Sequence, residues 1–107
     1  MEWIKIEDKM PKPMQLIAAA WDRTLNWMHV TKLYPNEEPG KIVLWFPIPP
    51  KSSKEWIKSK KQKPKLWEYI LFHNKNFKHC EYMIERYDGK KEFDYWLYIP
   101  KRPWDRF

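Results

Sequence analysis

Glu55-Trp56-Ile57-Lys58-Ser59-Lys60-Lys61-Gln62-Lys63-Pro64-Lys65 repeats the opening of the chain, Glu2-Trp3-Ile4-Lys5-Ile6-Glu7-Asp8-Lys9-Met10-Pro11-Lys12. The Glu-Trp-Ile-Lys tetrad and the Pro-Lys pair return at the same separation. A second echo lies downstream, where Trp45-Phe46-Pro47-Ile48-Pro49 recurs as Trp96-Leu97-Tyr98-Ile99-Pro100. The offset is 53 residues at the front and 51 at the back, so the second copy has a middle two residues shorter. A period near 50 residues reads as one supersecondary unit written twice. The anchors of the repeat are Trp3, Ile4, Pro11 and Trp45 in the first copy and Trp56, Ile57, Pro64 and Trp96 in the second. The copies divide the chain into 1–50, and 51–107 with a basic linker at its front. A unit of about 50 residues buries too little surface to be robust alone, which favours two copies in one compact body.

Between the anchors, polarity alternates with the period of strands. Met14–Trp21 follows Pro13 and precedes a turn at Asp22-Arg23-Thr24. Ala18-Ala19-Ala20 favours helix by propensity, but the segment is short, and it reads as a strand. Asn26–Tyr34 and Ile42–Phe46 read as two more, the second ended by Pro47, Pro49 and Pro50. In the second copy the strands are Leu66–His73, apolar on both sides and therefore central, Phe77–Tyr87 and Glu92–Ile99. Asn74-Lys75-Asn76 reads as one hairpin turn and Asp88-Gly89 as the other. Ser52 and Ser53 can cap a short helix over 54–62 that stops at Pro64; the competing reading is an extended anchor like residues 2–6. The expected fold is mainly β, a tandem pseudo-two-fold repeat of small three-stranded antiparallel meanders, each with an N-terminal Trp-Ile anchor. Trp104 and Phe107 read as anchors of the tail.

Eight Trp, six Tyr and five Phe in 107 residues can fill two small cores or leave some rings at the surface as a binding face. Residues 51–65 hold seven Lys and one Glu, most of the net charge of +7. Lys51, Lys54, Lys58, Lys60, Lys61, Lys63 and Lys65 therefore read either as a solvated connector or as an electrostatic contact for nucleic acid or an acidic protein. The run contains no Arg, which argues against bidentate readout. Cys80 is the single cysteine, so no intramolecular disulfide is expected, in keeping with a reducing cytosol. No signal-like core and no run of about 20 apolar residues is present. A cytoplasmic protein is expected.

Trp3, Ile4, Ile6, Asp8 and Pro11, followed by Trp45, Pro47, Ile48 and Pro49, resemble a small family catalogued as a domain of unknown function, number 551, frequent in phage and prophage genomes. Its members tend to open Trp-Ile-x-Val-x-Asp-x-x-Pro and to close His-Trp-Met-Pro-Leu-Pro. The resemblance covers residues 2–50, with a degenerate copy at 55–103. Leu44 and Tyr95 stand where that family has its His, and Lys61 where it has its Asp. The resemblance implies a small phage-type protein, located in the host cell, and carries no activity or catalytic residue.

Catalytic and metal chemistry is poorly supplied. His29, His73, His79 and Cys80 do not have zinc spacing, and adjacent His79 and Cys80 face opposite sides of a strand. The carboxylates lie in turns or at strand edges, and the two glycines, Gly40 and Gly89, are in turns. No enzyme activity, metal or cofactor is expected. What remains is binding. The first reading is a non-catalytic accessory protein that inhibits or modulates a host protein or nucleoprotein complex, such as a defence nuclease of anti-CRISPR or anti-restriction type. Tyr98 and Trp104 are its expected contacts, with Lys54, Lys58, Lys60, Lys61, Lys63 and Lys65. The alternative is sequence-tolerant binding of single-stranded nucleic acid through the Lys run and exposed aromatics.

Overall fold

The computed structural model describes residues 1–74 and 81–101. His79, Cys80, Trp104 and Phe107, singled out above, lie outside the described residues, as does most of the Asn74-Lys75-Asn76 turn. The chain divides into two units: Met1–Ile48 with the chain from Pro100 onward, and Pro49–Ile99.

The described residues form eight strands and no helix. In the first unit these are β1 (Ile4–Lys5), β2 (Ile17–Ala20), β3 (Met28–Thr31) and β4 (Leu44–Pro47). In the second they are β5 (Ile57–Lys58), β6 (Tyr69–His73), β7 (Tyr82–Arg86) and β8 (Tyr95–Tyr98). Each unit is one four-stranded sheet, and the orders are the same: β1-β4-β2-β3 and β5-β8-β6-β7. The registers correspond as well. Ile4 faces Trp45 as Ile57 faces Trp96, and Ala20 lies between Met28 and Leu44 as His73 lies between Tyr82 and Tyr95. Pairing adds one residue to the β6–β7 connection and removes three from the β7–β8 connection, which locates the net two-residue shortening.

Two expectations about connectivity are corrected. The units are not three-stranded meanders, because the anchor pairs as a fourth, edge strand and the third and fourth strands do not pair with each other. β2 lies between β3 and β4, which therefore run parallel, and parallel strands cannot be joined by a tight hairpin. Twelve residues make the crossing from β3 to β4, and eight from β7 to β8. Asp88-Gly89 belongs to that crossing and not to a hairpin: the Asp88 carboxylate accepts the backbone N–H groups of Lys90 and Lys91 at 2.8 and 3.0 Å. Gly89 takes φ +84°, and an added Cβ would lie 3.0 Å from the Leu66 side chain. The second concerns 54–62, where the short helix does not form and the competing reading, an extended anchor, does. The segment holds β5 followed by a turn in which Lys61 and Gln62 both donate to the Lys58 carbonyl, as Asp8 and Lys9 donate to that of Lys5. Pairing with β8 holds Ile57 and Lys58 extended against the helix propensity of the lysines.

The crossing segments also close the cores. Leu33 and Ile42 pack with Ile17, Ala19 and Trp45, while Tyr87 and Phe93 pack with Ile70, Phe72 and Trp96. Ile4 and Ile57 lie against these clusters from the edge strands. A buried indole needs a partner for its N–H, and the repeat supplies it twice. Trp45 Nε1 donates to the Lys9 carbonyl at 2.8 Å and Trp96 Nε1 to the Gln62 carbonyl at 3.0 Å, two positions 53 residues apart. Trp3 donates to Pro100 and Trp56 to Pro50, at 2.7 and 3.0 Å. Pro11 and Pro64 are both buried behind these turns. Ala18–Ala20 has no exposed surface: the small side chains of the inner strand leave room for Trp45 and Phe46 on its neighbour.

Candidate functional site

The two copies share their scaffold and differ at two places on the surface. The first is the groove beside the turn that follows the edge strand. In the first unit it is a pocket of about 160 Å³ lined by Lys5, Ile6, Glu7, Arg23, Val43 and Leu44. In the second it is an open cleft of about 570 Å³, lined by Lys51, Lys58, Ser59, Lys60, His73, Phe93, Asp94 and Tyr95. Register places His73 where the first copy has Ala20, Asp94 where it has Val43, Tyr95 where it has Leu44 and Tyr82 where it has Met28.

These four polar side chains form one network. His73 Nδ1 lies 3.2 Å from Asp94 Oδ2. Its ring is parallel to that of Tyr95, with centroids 4.7 Å apart. The Tyr95 and Tyr82 hydroxyls are 3.2 Å apart, and Trp56 stacks on Tyr82. His73 is buried, whereas Asp94 is partly open to solvent. Burial holds the Tyr95 hydroxyl well above the ordinary tyrosine range, helped by the hydrogen bond to Tyr82 and by the nearby Asp94 and Glu81 carboxylates. Tyr95 therefore stays a neutral hydrogen-bonding group. The folded chain keeps a proton that the unfolded chain releases near pH ~10. The stability tied to it is complete below that pH and is lost as the pH rises through the folded pKa. Urea midpoints measured from pH 8 to 11.5 should fall less steeply for Tyr95→Phe than for the wild type; parallel curves would contradict the assignment.

The second difference is the side chain carried at the corner before β6. Met14 and Trp67 occupy corresponding positions, with φ +64° and +68°, and donate their N–H groups to the matching carbonyls of Leu33 and Tyr87. Left-handed backbone is costly for a bulky L-residue and is ordinarily given to Gly or Asn. Trp67 is 63% exposed, the most exposed large apolar side chain among the described residues, and Leu66 beside it is 60% exposed. Arg86 donates to the Trp67 carbonyl at 3.2 Å and lies over the Tyr69 ring. Lys63 and Lys65 precede this corner and are exposed. On the first unit, Trp27 is exposed, stacked on Trp21 and in edge contact with His29.

Of the residues expected to meet a partner, Lys54, Lys58, Lys60, Lys61, Lys63 and Lys65 are all exposed. Only Lys58 and Lys60 line the cleft, joined there by Lys51. Tyr98 is half-buried, packs edge-on against Trp96 and accepts the Lys65 N–H at 3.1 Å, so it is a structural residue rather than an exposed anchor. Of the repeat anchors, Trp3, Pro11, Trp45, Pro64 and Trp96 are buried and Ile4, Trp56 and Ile57 half-buried. The sequence reading missed Trp67, Leu66 and the His73–Asp94 pair. Superimposing the copies at the 53-residue offset would have found Trp67 opposite Met14. Among the described residues no three of His, Cys, Asp and Glu gather as metal ligands, and no helix is long and apolar enough to cross a membrane. No family model matches the chain, and comparison with curated proteins and with solved structures finds no match.

Proposed function

We propose that this chain is a non-catalytic, phage-type accessory protein that binds and inhibits or modulates a host protein or nucleoprotein complex, with Trp67 and Leu66 as its central contact. The observation that carries this reading is Trp67 itself. A large aromatic stands nearly two-thirds exposed on left-handed backbone that glycine would occupy with less strain. Folding gains little from the exposed ring. Tryptophan is also enriched among residues that dominate protein interfaces. Arg86 bonded to its carbonyl, and the exposed Lys63 and Lys65 just before it in the chain, favour a partner whose apolar pocket is rimmed by carboxylates. The phage-type assignment rests on the opening and closing motifs of residues 2–50.

The test is tagged capture from bacterial lysate, with and without nuclease, run beside Trp67→Ser. The proposal expects one protein partner that survives nuclease and is lost with Trp67→Ser. Captured material that is nucleic acid, with every protein released by nuclease, would replace this reading with binding of single strands by the Lys run.

A further inference from the structure

We propose that the cleft of the second unit binds the phosphate group of a nucleotide, with Lys51, Lys58 and Lys60 as its cationic wall and the His73–Asp94 pair at its inner end. The first copy serves as the internal control. Its strands have the same order and register with Ala20, Val43, Leu44 and Met28 at the four network positions, so the scaffold does not require a histidine, a carboxylate or two phenols there. The outer wall differs in the same sense: Ile6 and Glu7 are matched by Ser59 and Lys60 at the 53-residue offset. Buried polar groups are costly unless satisfied, and here they are held in a network that opens on a cationic wall.

The chemistry of that wall selects an anion. Three lysines line the cleft against a single carboxylate, Asp94, which is bonded to the imidazole. Lysine ammonium groups act as point charges toward phosphate, and Ser59 and the neutral Tyr95 hydroxyl can add hydrogen bonds. A volume of about 570 Å³ is larger than a bare phosphate needs and falls in the usual range for small-molecule sites. Phe93 and Tyr95 contribute apolar surface to the lining, although Phe93 is largely buried and the Tyr95 ring is stacked on His73. The phosphate can belong to a free nucleotide or to the phosphorylated end of a nucleic acid.

The full chain would be titrated calorimetrically with a 5′-mononucleotide, inorganic phosphate, and an oligonucleotide with and without a 5′-phosphate. Mononucleotide binding should weaken with salt, inorganic phosphate should compete, and the His73 ring resonances should shift on binding. Lys51→Gln with Lys58→Gln and Lys60→Gln, all exposed positions, should weaken binding at least tenfold. Lys5→Gln, at the position corresponding to Lys58, should leave it unchanged. Tighter binding of the mononucleotide identifies a free nucleotide as the source, and tighter binding of the phosphorylated oligonucleotide identifies a strand end. No binding at millimolar mononucleotide, or undiminished binding by the lysine variant, would overturn the proposal. None of these outcomes bears on capture through Trp67.

Discussion

Trp96→Ala is expected to cost about 3–5 kcal/mol, the range for removing a large aromatic from a packed core. Trp96 has no exposed surface, packs with Ile70, Phe72, Tyr87 and Phe93, and satisfies the Gln62 carbonyl through its indole. Removing it leaves both a cavity and a carbonyl without its donor. Small domains have only about 5–15 kcal/mol in hand, and a unit near 50 residues is at the low end of that range. The second unit should therefore be largely unfolded at 37 °C, visible as loss of dispersed amide resonances from Pro49–Ile99. Trp45→Ala should behave alike in the first unit, since Trp45 is 2% exposed and bonded in the corresponding way to Lys9. Trp96→Phe should lose less, because it retains most of the apolar surface and forfeits mainly the hydrogen bond, worth about 0.5–1.5 kcal/mol. A loss under about 1 kcal/mol for Trp96→Ala, read from urea denaturation, would show that the indole does not organise the unit.

Trp67→Ala should give the opposite separation of effects. At 63% exposure its removal should change stability by no more than about 0.5 kcal/mol. Binding to the captured partner should fall by about 2 kcal/mol or more, roughly thirtyfold, the behaviour of an interface hot spot. Trp67→Gly sharpens the comparison. It relieves φ +68° as well as removing the ring, so it should be at least as stable as Trp67→Ala while binding no better. Any single Lys→Gln in 51–65 should cost less than the Trp67 variants, because an exposed charge contributes about 1 kcal/mol or less. Surface plasmon resonance with the purified partner would measure each of these variants. Full affinity in Trp67→Ala would remove this corner from the interface.

Most of the strand content was legible because it is local. Trp3-Ile4 and Trp45 with Ile48-Pro49 recur at Trp56-Ile57 and Trp96 with Ile99-Pro100, and alternation between them marked the strands now seen as β2, β3, β4, β6, β7 and β8. The order of those strands was not legible. Alternation says which residues share a face but not which strand lies alongside, and Asp88-Gly89 carries the same chemistry in a crossing segment as in a hairpin. Of the two readings of 54–62, the extended anchor prevailed over the short helix because Ile57 and Lys58 pair with β8, a contact formed with residues nearly 40 positions away. The site was hidden for the same reason. His73 and Asp94 are separated by 21 residues and meet only because β8 lies beside β6. Trp67 was read as part of a strand that begins two residues later, at Tyr69. The exposed lysines were readable from charge alone; which of them share a cleft was not.

One β unit is written twice and folds twice with the same strand order, and the second copy carries the polar cleft and Trp67. Cross-strand NOEs in a solution NMR spectrum test it most directly. The account predicts contacts of Ile4 with Trp45 and of Ile57 with Trp96, and contacts from His73 to both Tyr82 and Tyr95. Direct backbone contacts between Met28–Thr31 and Leu44–Pro47, or between Tyr82–Arg86 and Tyr95–Tyr98, would mean that the units are meanders after all. The correspondence of Ala20 with His73, on which the cleft proposal depends, would then fail with them.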